Sequence, residues 1–133
     1  MIFFDTNICI YIMKGTFSSL ADEMKRRSPS AIYVPAIVRA ELLFGARKST
    51  NPGKARRKVS QFLLPYDVAP FDEPAAGLYA DIRADLDGRG QPIGPNDLII
   101  AATVLSREGT LITHNVSEFG RVNGLDIEDW CQD

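Results

Sequence analysis

The sequence places acidic side chains at the ends of apolar segments, where a carboxylate is unusual. Asp5 directly follows the apolar run Ile2–Phe4, and Thr6 and Asn7 come next. Such a run predicts a buried strand with Asp5 at its carboxyl end. Two roles are open for Asp5: it can cap the following helix, or it can bind a ligand at the end of the sheet.

Glu41 is the second unusual carboxylate. Val38 and Phe44 lie three residues to either side of it, so these apolar side chains share its face of a predicted helix. A buried carboxylate is costly unless it is protonated, paired or bound to a metal. We therefore expect Glu41 either to form an ion pair with Arg39 or Arg47, or to coordinate a cation.

Two further acids occupy comparable positions. Asp97 opens a segment that is apolar nearly all round and therefore predicts a buried helix, although the helix dipole alone would favour an acid there. Glu118, with Asn115 nearby, follows the predicted strand Leu111–Thr113. An ordinary turn with a helix cap is the simpler interpretation of this last segment.

Taken together, these carboxylates predict a cation site. Acids from separate segments converge on one end of a parallel sheet, and like charges so close together raise one another's pKa unless a cation neutralises them. Ligands that are all oxygen suit Mg²⁺ or Mn²⁺ rather than zinc. Because a water bound to such an ion can attack a phosphodiester, hydrolysis of a phosphate ester is the reaction favoured by these residues.

The elements that must position these acids alternate along the chain. Short β-rich runs separated by longer helical ones indicate an α/β domain with a mostly parallel sheet. The predicted strands are Ile2–Phe4, Ile32–Val34, Asp67–Ala69, Leu111–Thr113 and Leu125–Ile127. The predicted helices lie near Ile8–Met13, Ser18–Arg27, Pro35–Ala46, Gly53–Leu64, Pro74–Asp87 and Asn96–Glu108. Pro35 is expected in a first helical turn, Pro65 after a helix end, and Gly109 as a left-handed helix cap.

Length and composition narrow the class of protein. The 133 residues fit a single domain spanning residues 1–133, and 45% apolar with 24% charged residues is ordinary for a globular chain. No run approaches the roughly 20 apolar residues of a membrane span. Without a basic segment at its N-terminus, and with Cys9 and Cys131 expected as reduced thiols, the chain is predicted to be cytoplasmic.

The net charge of −2 argues against a general nucleic-acid coat but not against a nuclease, because phosphate contact needs only a local basic patch. Two patches are candidates, at residues 25–27 and 54–58; the second consists of Lys54, Arg56, Arg57 and Lys58. Each can equally be a solvated helix face. His114 is the only histidine, so a two-histidine ribonuclease mechanism is excluded, and we expect a surface or structural role for it.

Four ordered motifs resemble the VapC family of type II toxin–antitoxin ribonucleases, within the PIN-domain superfamily. The first is Phe4-Asp5-Thr6-Asn7, and the second is the Pro-Ala-Ile-Val-x-Ala-Glu-Leu-x-x-Gly stretch that carries Glu41. The third runs from Pro92 to Ala102 and contains Asn96-Asp97, and the fourth runs from Leu111 to Leu125. The resemblance covers nearly the whole chain.

The resemblance implies a three-layer α/β/α fold and an acidic Mg²⁺ or Mn²⁺ site. In that family the positions matched by Asp5 and Asp97 are the core metal ligands, and the position of Glu41 completes the first three. Glu118, beside Asn115, matches an acid that helps to hold a metal or a water, either directly or indirectly. Thr6 and Asn7 are expected to orient Asp5, a role that matters for metal affinity.

The resemblance also implies substrates and partners. The family cleaves RNA, in several members tRNA or ribosomal RNA, and it pairs with a VapB-like antitoxin whose C-terminal segment occupies the acidic groove, often through an arginine. A homodimer is usual.

Two other functions fit the residues less well. An Asp-nucleophile phosphatase of the haloacid-dehalogenase kind needs a second Asp two residues after the first, where this chain has Asn7. A non-catalytic module that binds RNA or a partner with the same fold would not need acids at all the expected places.

Overall fold

A five-stranded sheet lies at the centre of the computed structural model, which describes residues 1–132. The strands are β1 (Ile2–Phe4), β2 (Ile32–Pro35), β3 (Asp67–Ala69), β4 (Thr110–Ile112) and β5 (Asp126–Glu128). Their order across the sheet is β3-β2-β1-β4-β5, and every neighbouring pair is parallel. All five predicted strands are confirmed, with β4 and β5 displaced by one residue from the predicted bounds.

Helices fill the connections between the strands. They are α1 (Thr6–Lys14), α2 (Ser18–Lys25), α3 (Ala36–Arg47), α4 (Pro52–Leu63), α5 (Glu73–Gly88), α6 (Pro95–Ser106) and α7 (Val116–Phe119), with a 3-10 turn at Pro29–Ala31. The six predicted helices are confirmed within a few residues. The prediction of Pro35 as a first-turn residue was wrong, because Pro35 ends β2 in extended conformation and α3 begins at Ala36.

Both faces of the sheet are covered. Consecutive residues of a strand point to opposite faces, and Phe3 and Phe4 of β1, like Leu111 and Ile112 of β4, are all fully buried. Since neither face of these strands meets solvent, helices must pack on both sides. This is the predicted three-layer α/β/α arrangement with a parallel sheet.

The order of the strands determines where a site can form. The chain runs outward from β1 to β2 and β3, and then returns to the other side of β1 for β4 and β5. The carboxyl ends of β1 and β4 therefore flank the point where the direction of winding reverses, which is where open parallel sheets bind ligands. Asp5 and Thr113 are the residues that follow these two strands.

Gly109 does not have the left-handed conformation predicted for it. Glu108 takes the positive φ of 53° instead. Gly109 is needed for a different reason: a Cβ there would lie 2.4 Å from Cε2 of the Phe3 ring. The glycine thus lets the turn before β4 pass close to the core.

Smaller features concern the surface and the cysteines. The acids Asp81, Asp85 and Asp87 lie exposed on α5, where Arg89 pairs with Asp85 at 2.8 Å, so this part of α5 is a solvated helix face. No disulfide joins the two cysteines of the chain. Within residues 1–132, none of the helices combines the length and the apolar character needed to cross a membrane.

Candidate active site

Asp5 lies at the centre of the site and is only 5% exposed. One carboxylate oxygen, Oδ1, accepts the backbone N–H of Ile8 at 2.8 Å, which caps α1. The other, Oδ2, accepts the hydroxyl of Thr113 at 2.6 Å. Because Asp5 also lines an open cavity, capping the helix does not prevent it from binding a ligand.

Glu41 is half-buried and points toward the same cavity from α3. Its Oε1 accepts the hydroxyl of Thr6 at 2.6 Å, and its Oε2 accepts the side-chain amide of Asn96 at 3.2 Å. Thr6 thus orients Glu41, so the expectation that it orients Asp5 was wrong. Among the residues that the structure describes, Arg39 and Arg47 make no ion pair with Glu41.

The apolar face of α3 is not the one expected from the sequence. Its buried residues are Val38, Leu42 and Ala46, whereas Phe44 is 61% exposed. Glu41 therefore lies at the edge of the buried face rather than within it. Contact with polar partners at this edge lets the carboxylate remain accessible to a ligand.

Asp97 and Glu118 form a close pair of acids near Gly94. Glu118 accepts the backbone N–H of Gly94 at 2.7 Å through Oε1 and the amide of Asn115 at 2.9 Å through Oε2. A Cβ on Gly94 would lie 3.6 Å from Asp97 Oδ2 and 3.7 Å from Glu118 Oε1. The two carboxylates therefore lie on the same side of the turn before α6.

The predicted acids and their neighbours surround one small cavity of about 110 Å³. Its lining consists of Asp5, Thr6, Asn7, Glu41, Asp97, Asn115 and Phe119. Glu118 is not part of the lining and lies beside Asp97. Two strand-to-helix connections, β1–α1 and β4–α7, together with α3 and the first turn of α6, form this cavity. Its acids are up to 92 residues apart in sequence, counting from Asp5 to Asp97.

The protonation of these acids reflects their crowding. Burial, and then repulsion by Glu118, raises the pKa of Asp97 to about 7. Burial also raises the pKa of Asp5, although the hydrogen bond from Thr113 partly opposes this. The N–H of Gly94 lowers the pKa of Glu118, which therefore keeps its charge next to Asp97. The cavity is thus a place where negative charge lacks compensation.

The donor set fits a hard divalent cation. Asp5, Glu41 and Asp97 offer only carboxylate oxygens, the ligands that Mg²⁺ and Mn²⁺ prefer. Among the described residues, no three acids of this cluster have carboxylate oxygens within 4.8 Å of one another. Mg²⁺ retains several waters and needs only one or two carboxylates in direct contact, so it does not require three acids this close together.

Thr113 and Asn96 are contacts of the acids that sequence reasoning missed. The signal for Thr113 was present in the register: Phe4 pairs with Ile112 across β1 and β4, so Asp5 and Thr113 are the next residues opposite each other. That pairing requires knowing that β4 is the neighbour of β1, which the sequence does not show. Asn96 adjoins Asp97 and could be suspected only from its position at the start of α6.

An apolar groove of about 420 Å³ adjoins the acidic cavity, and Glu41 lines both. The groove lies between α1, α3 and α4, with Ile10, Leu42 and Val59 among its walls. Lys58 lines it as well, while Lys54, Arg56 and Arg57 are exposed on the same helix, α4. Of the basic patch 54–58, Lys58 thus lines the groove that Glu41 shares with the acidic cavity.

Comparisons with known proteins identify the family of this chain. Residues 2–125 match the PIN domain family. The chain is 35% identical, over 96% of its length and 96% of the relative, to the tRNA(fMet)-specific endonuclease VapC of Salmonella typhimurium. Two solved complexes are similar in structure. VapBC-1 of nontypeable Haemophilus influenzae has 36% sequence identity and a TM-score of 0.91, and the match covers 99% of this chain and 100% of that one. VapBC2 of Rickettsia felis bound to promoter DNA has 32% identity and a TM-score of 0.91, and the match covers 98% of this chain and 99% of that one.

A parallel sheet with acids gathered at the point where its direction of winding reverses defines the class of PIN-type α/β nucleases. Within that class, the chain belongs to the VapC family of toxin–antitoxin ribonucleases.

Proposed function

We propose that this protein is the toxin of a type II toxin–antitoxin system and that it hydrolyses RNA phosphodiester bonds at the cavity formed by Asp5, Glu41 and Asp97. The observation that supports this most is that these three acids line one small cavity at the point where the direction of winding of the sheet reverses. Membership of the VapC family supports the reaction class independently of this geometry.

Asp5, Glu41 and Asp97 would hold Mg²⁺ or Mn²⁺, whose chemistry at such sites is to lower the pKa of water and to offset charge on the phosphate. The protein fixes these ligands in advance. Thr113 and the N–H of Ile8 hold both oxygens of Asp5, and Thr6 and Asn96 hold those of Glu41. Such partners determine ligand orientation and therefore affinity.

Glu118 would act indirectly on this site. Both of its oxygens already accept hydrogen bonds, from Gly94 and from Asn115, so it keeps a negative charge beside Asp97. That charge makes it more costly for Asp97 to ionise without a cation and strengthens the attraction of the cluster for one.

RNA is the proposed substrate, and tRNA is the first class to test, because the Salmonella relative is named for tRNA(fMet). Ribosomal RNA is the other class to test. Lys54, Arg56, Arg57 and Lys58 carry positive charge along α4, whose Lys58 shares the groove with Glu41. Contacts of this kind bind phosphate without regard to sequence.

An antitoxin similar to VapB is the proposed protein partner, since the solved relatives are VapBC complexes. Its C-terminal segment would enter the apolar groove and present an arginine to the acids, a pairing that satisfies both charge and geometry. A homodimer acting in the cytoplasm, where tRNA and ribosomal RNA are found, completes the proposal.

Cleavage of total tRNA and of ribosomal RNA by antitoxin-free protein tests this function. We expect discrete fragments with Mg²⁺ or Mn²⁺, none with EDTA, and none from Asp5→Ala. Fragments from tRNA alone, or from ribosomal RNA alone, would identify the substrate class. Failure to cleave any RNA, together with no binding of Mn²⁺, would support a non-catalytic binding module instead.

A further inference from the structure

His114, in the loop after β4, lies close to two side chains near the C-terminus, Asp129 and Cys131, whose types can ligate a metal. His114 Nδ1 is 2.9 Å from Asp129 Oδ2, and one ring nitrogen of His114, one carboxylate oxygen of Asp129 and the Sγ of Cys131 all lie within 4.8 Å of one another. This is the only group of three His, Cys, Asp or Glu residues so close together among residues 1–132. None of its members lines the acidic cavity.

The spacing of these atoms is close to that of a metal site. In a tetrahedral zinc site with metal–ligand bonds of roughly 2.0–2.3 Å, ligand atoms are about 3.5 Å apart. The described distances span this value, so small side-chain rotations would suffice to close the site around an ion. A nitrogen, a sulfur and one carboxylate oxygen form a donor set for zinc and other thiophilic ions, unlike the oxygen-only acids near Asp5.

The surrounding structure holds the three ligands without needing an ion. The N–H of Cys131 donates to Asp129 Oδ1 at 2.9 Å, which leaves Oδ2 directed at His114. The His114 ring packs against the rings of Phe17 and Tyr11, with centroids 5.4 and 6.3 Å away. Asp129 is largely buried and Cys131 is 7% exposed, whereas the side chain of His114 is 45% exposed, so a solvent molecule can reach a fourth position.

The contact between His114 and Asp129 is an ordinary hydrogen bond and is not by itself evidence of a metal site. A histidine and a carboxylate at 2.9 Å need no further partner. The position of the Cys131 sulfur beside both of them is the additional observation, because a thiol contributes little as a hydrogen-bond partner and a great deal as a metal ligand.

We propose that His114, Asp129 and Cys131 form a second divalent-metal site, selective for Zn²⁺ over Mg²⁺, that fastens the C-terminal segment to the loop after β4. Metal binding releases the thiol proton of Cys131, because the thiolate is the form of cysteine that ligates a metal.

The site is adjacent to the active-site acids through the backbone. His114 lies between Thr113 and Asn115 in the sequence. Thr113 donates a hydrogen bond to Asp5, and Asn115 donates one to Glu118. Zinc on His114 therefore restrains the loop that orients Asp5 and Glu118, without being a ligand of the acidic cavity. This inference does not depend on the identity of the RNA substrate.

Cobalt is the probe that tests the site. We would add Co²⁺ to the full-length Asp97→Asn variant under reducing conditions, because weakening the acidic cluster leaves the second site as the main one. A thiolate-to-cobalt charge-transfer band should appear at one equivalent of Co²⁺ and should disappear when Zn²⁺ is added. The acids near Asp5 offer only oxygen, so they cannot produce this band.

Variants assign the band to this group. Cys131→Ser should abolish it, and Cys9→Ala, which removes the other thiol, should leave it intact. His114→Asn keeps the sulfur of Cys131 and changes only an exposed residue, so this variant should still fold. Its affinity for Co²⁺ should decrease on the order of a hundredfold or more, because loss of even a residue that only orients a metal ligand lowers affinity by about 10–100-fold. No band in the parent, a band that survives Cys131→Ser, or unchanged affinity in His114→Asn would overturn the proposal.

Discussion

The hydroxyl of Thr113 donates a 2.6 Å hydrogen bond to Oδ2 of the buried Asp5, across two strands that are far apart in the sequence. The two residues leave β1 and β4 in parallel register, one position after the pair Phe4 and Ile112. Strand pairing alone therefore brings a donor to the central acid. The other oxygen of Asp5 accepts a backbone N–H from α1, so the orientation of this carboxylate is fixed before any ligand binds.

Thr113→Val tests this orientation. Removing the hydroxyl leaves one oxygen of a buried carboxylate without its donor, so we expect activity and Mn²⁺ affinity to fall by roughly 10–100-fold. Stability should fall by about 1–3 kcal/mol. Thr103→Val is a matched control, since that buried hydroxyl bonds only the carbonyl of Ile99 within α6. A Thr113→Val protein that loses stability but keeps full activity would show that the contact is merely structural.

The protonation of Asp97 makes stability depend on pH. Because its pKa is raised from 3.8 to about 7, the folded chain binds more protons than the unfolded chain between these values, and the free energy of unfolding falls as pH rises through this window. The raised pKa of Asp5 likewise makes the free energy of unfolding fall as pH rises. The lowered pKa of Glu118 has the opposite effect on the free energy of unfolding, at pH values below its ordinary pKa of 4.5.

Urea unfolding of metal-free protein at several pH values measures this dependence. We expect a higher midpoint toward the acidic side of the window than above it, and Asp97→Asn should flatten the slope. Added Mg²⁺ should recover stability above the window. A stability that rises with pH, or an equal slope in Asp97→Asn, would mean that Asp97 ionises freely in the folded protein.

The basic patch 54–58 should contribute to RNA affinity through the phosphate backbone. Arg56→Ala combined with Arg57→Ala removes two charges from exposed positions on α4, so RNA binding should weaken and its dependence on salt should become less steep. Replacing Lys25 and Arg26 by Ala at the C-terminal end of α2 removes the same charge from the other candidate patch, so the comparison shows which patch binds RNA. An unchanged salt slope in the α4 variant would exclude this patch from the RNA path.

Gly109 should be intolerant of any side chain. A Cβ there meets the ring of Phe3 at 2.4 Å, inside the core, so Gly109→Ala should destabilise the protein by about 1–3 kcal/mol. Gly77 on α5 has nothing within 4 Å of its Cβ position, so Gly77→Ala should stabilise by roughly 0.5–1 kcal/mol. Thermal unfolding of both variants checks the contrast, and equal effects would contradict it.

The strands and helices could be predicted because apolar periodicity depends on near neighbours in the sequence. The same is true of Asp5 at a strand end, of Asp97 at a helix start and of Glu41 among apolar residues of a helix, since these positions are local features. The partners of these acids could not be predicted, because they depend on which strands are adjacent and on side-chain rotamers. Thr6 is the clearest example: the motif suggests Asp5 as its partner, and the turn into α1 instead directs its hydroxyl to Glu41.

The placement of Glu41 shows a second limit. Spacing along a helix predicts which residues share a face, but it does not fix where the edge of the buried face falls. Phe44 was expected inside and is exposed, and Glu41 lies at the boundary between Leu42 and the cavity. Short elements such as α7 were missed for a related reason, since four residues carry too little periodicity to distinguish a helix from a turn.

The most direct measurement of the central claim is to follow Mn²⁺ binding and RNA cleavage in the same antitoxin-free preparations. Asp97→Asn and Glu41→Gln should fold and should lose both properties, while Asp81→Asn, which removes an exposed acid from α5, should keep both. Cleavage that persists in Asp97→Asn, or that survives EDTA in the parent protein, would contradict an acid-held cation as the source of activity.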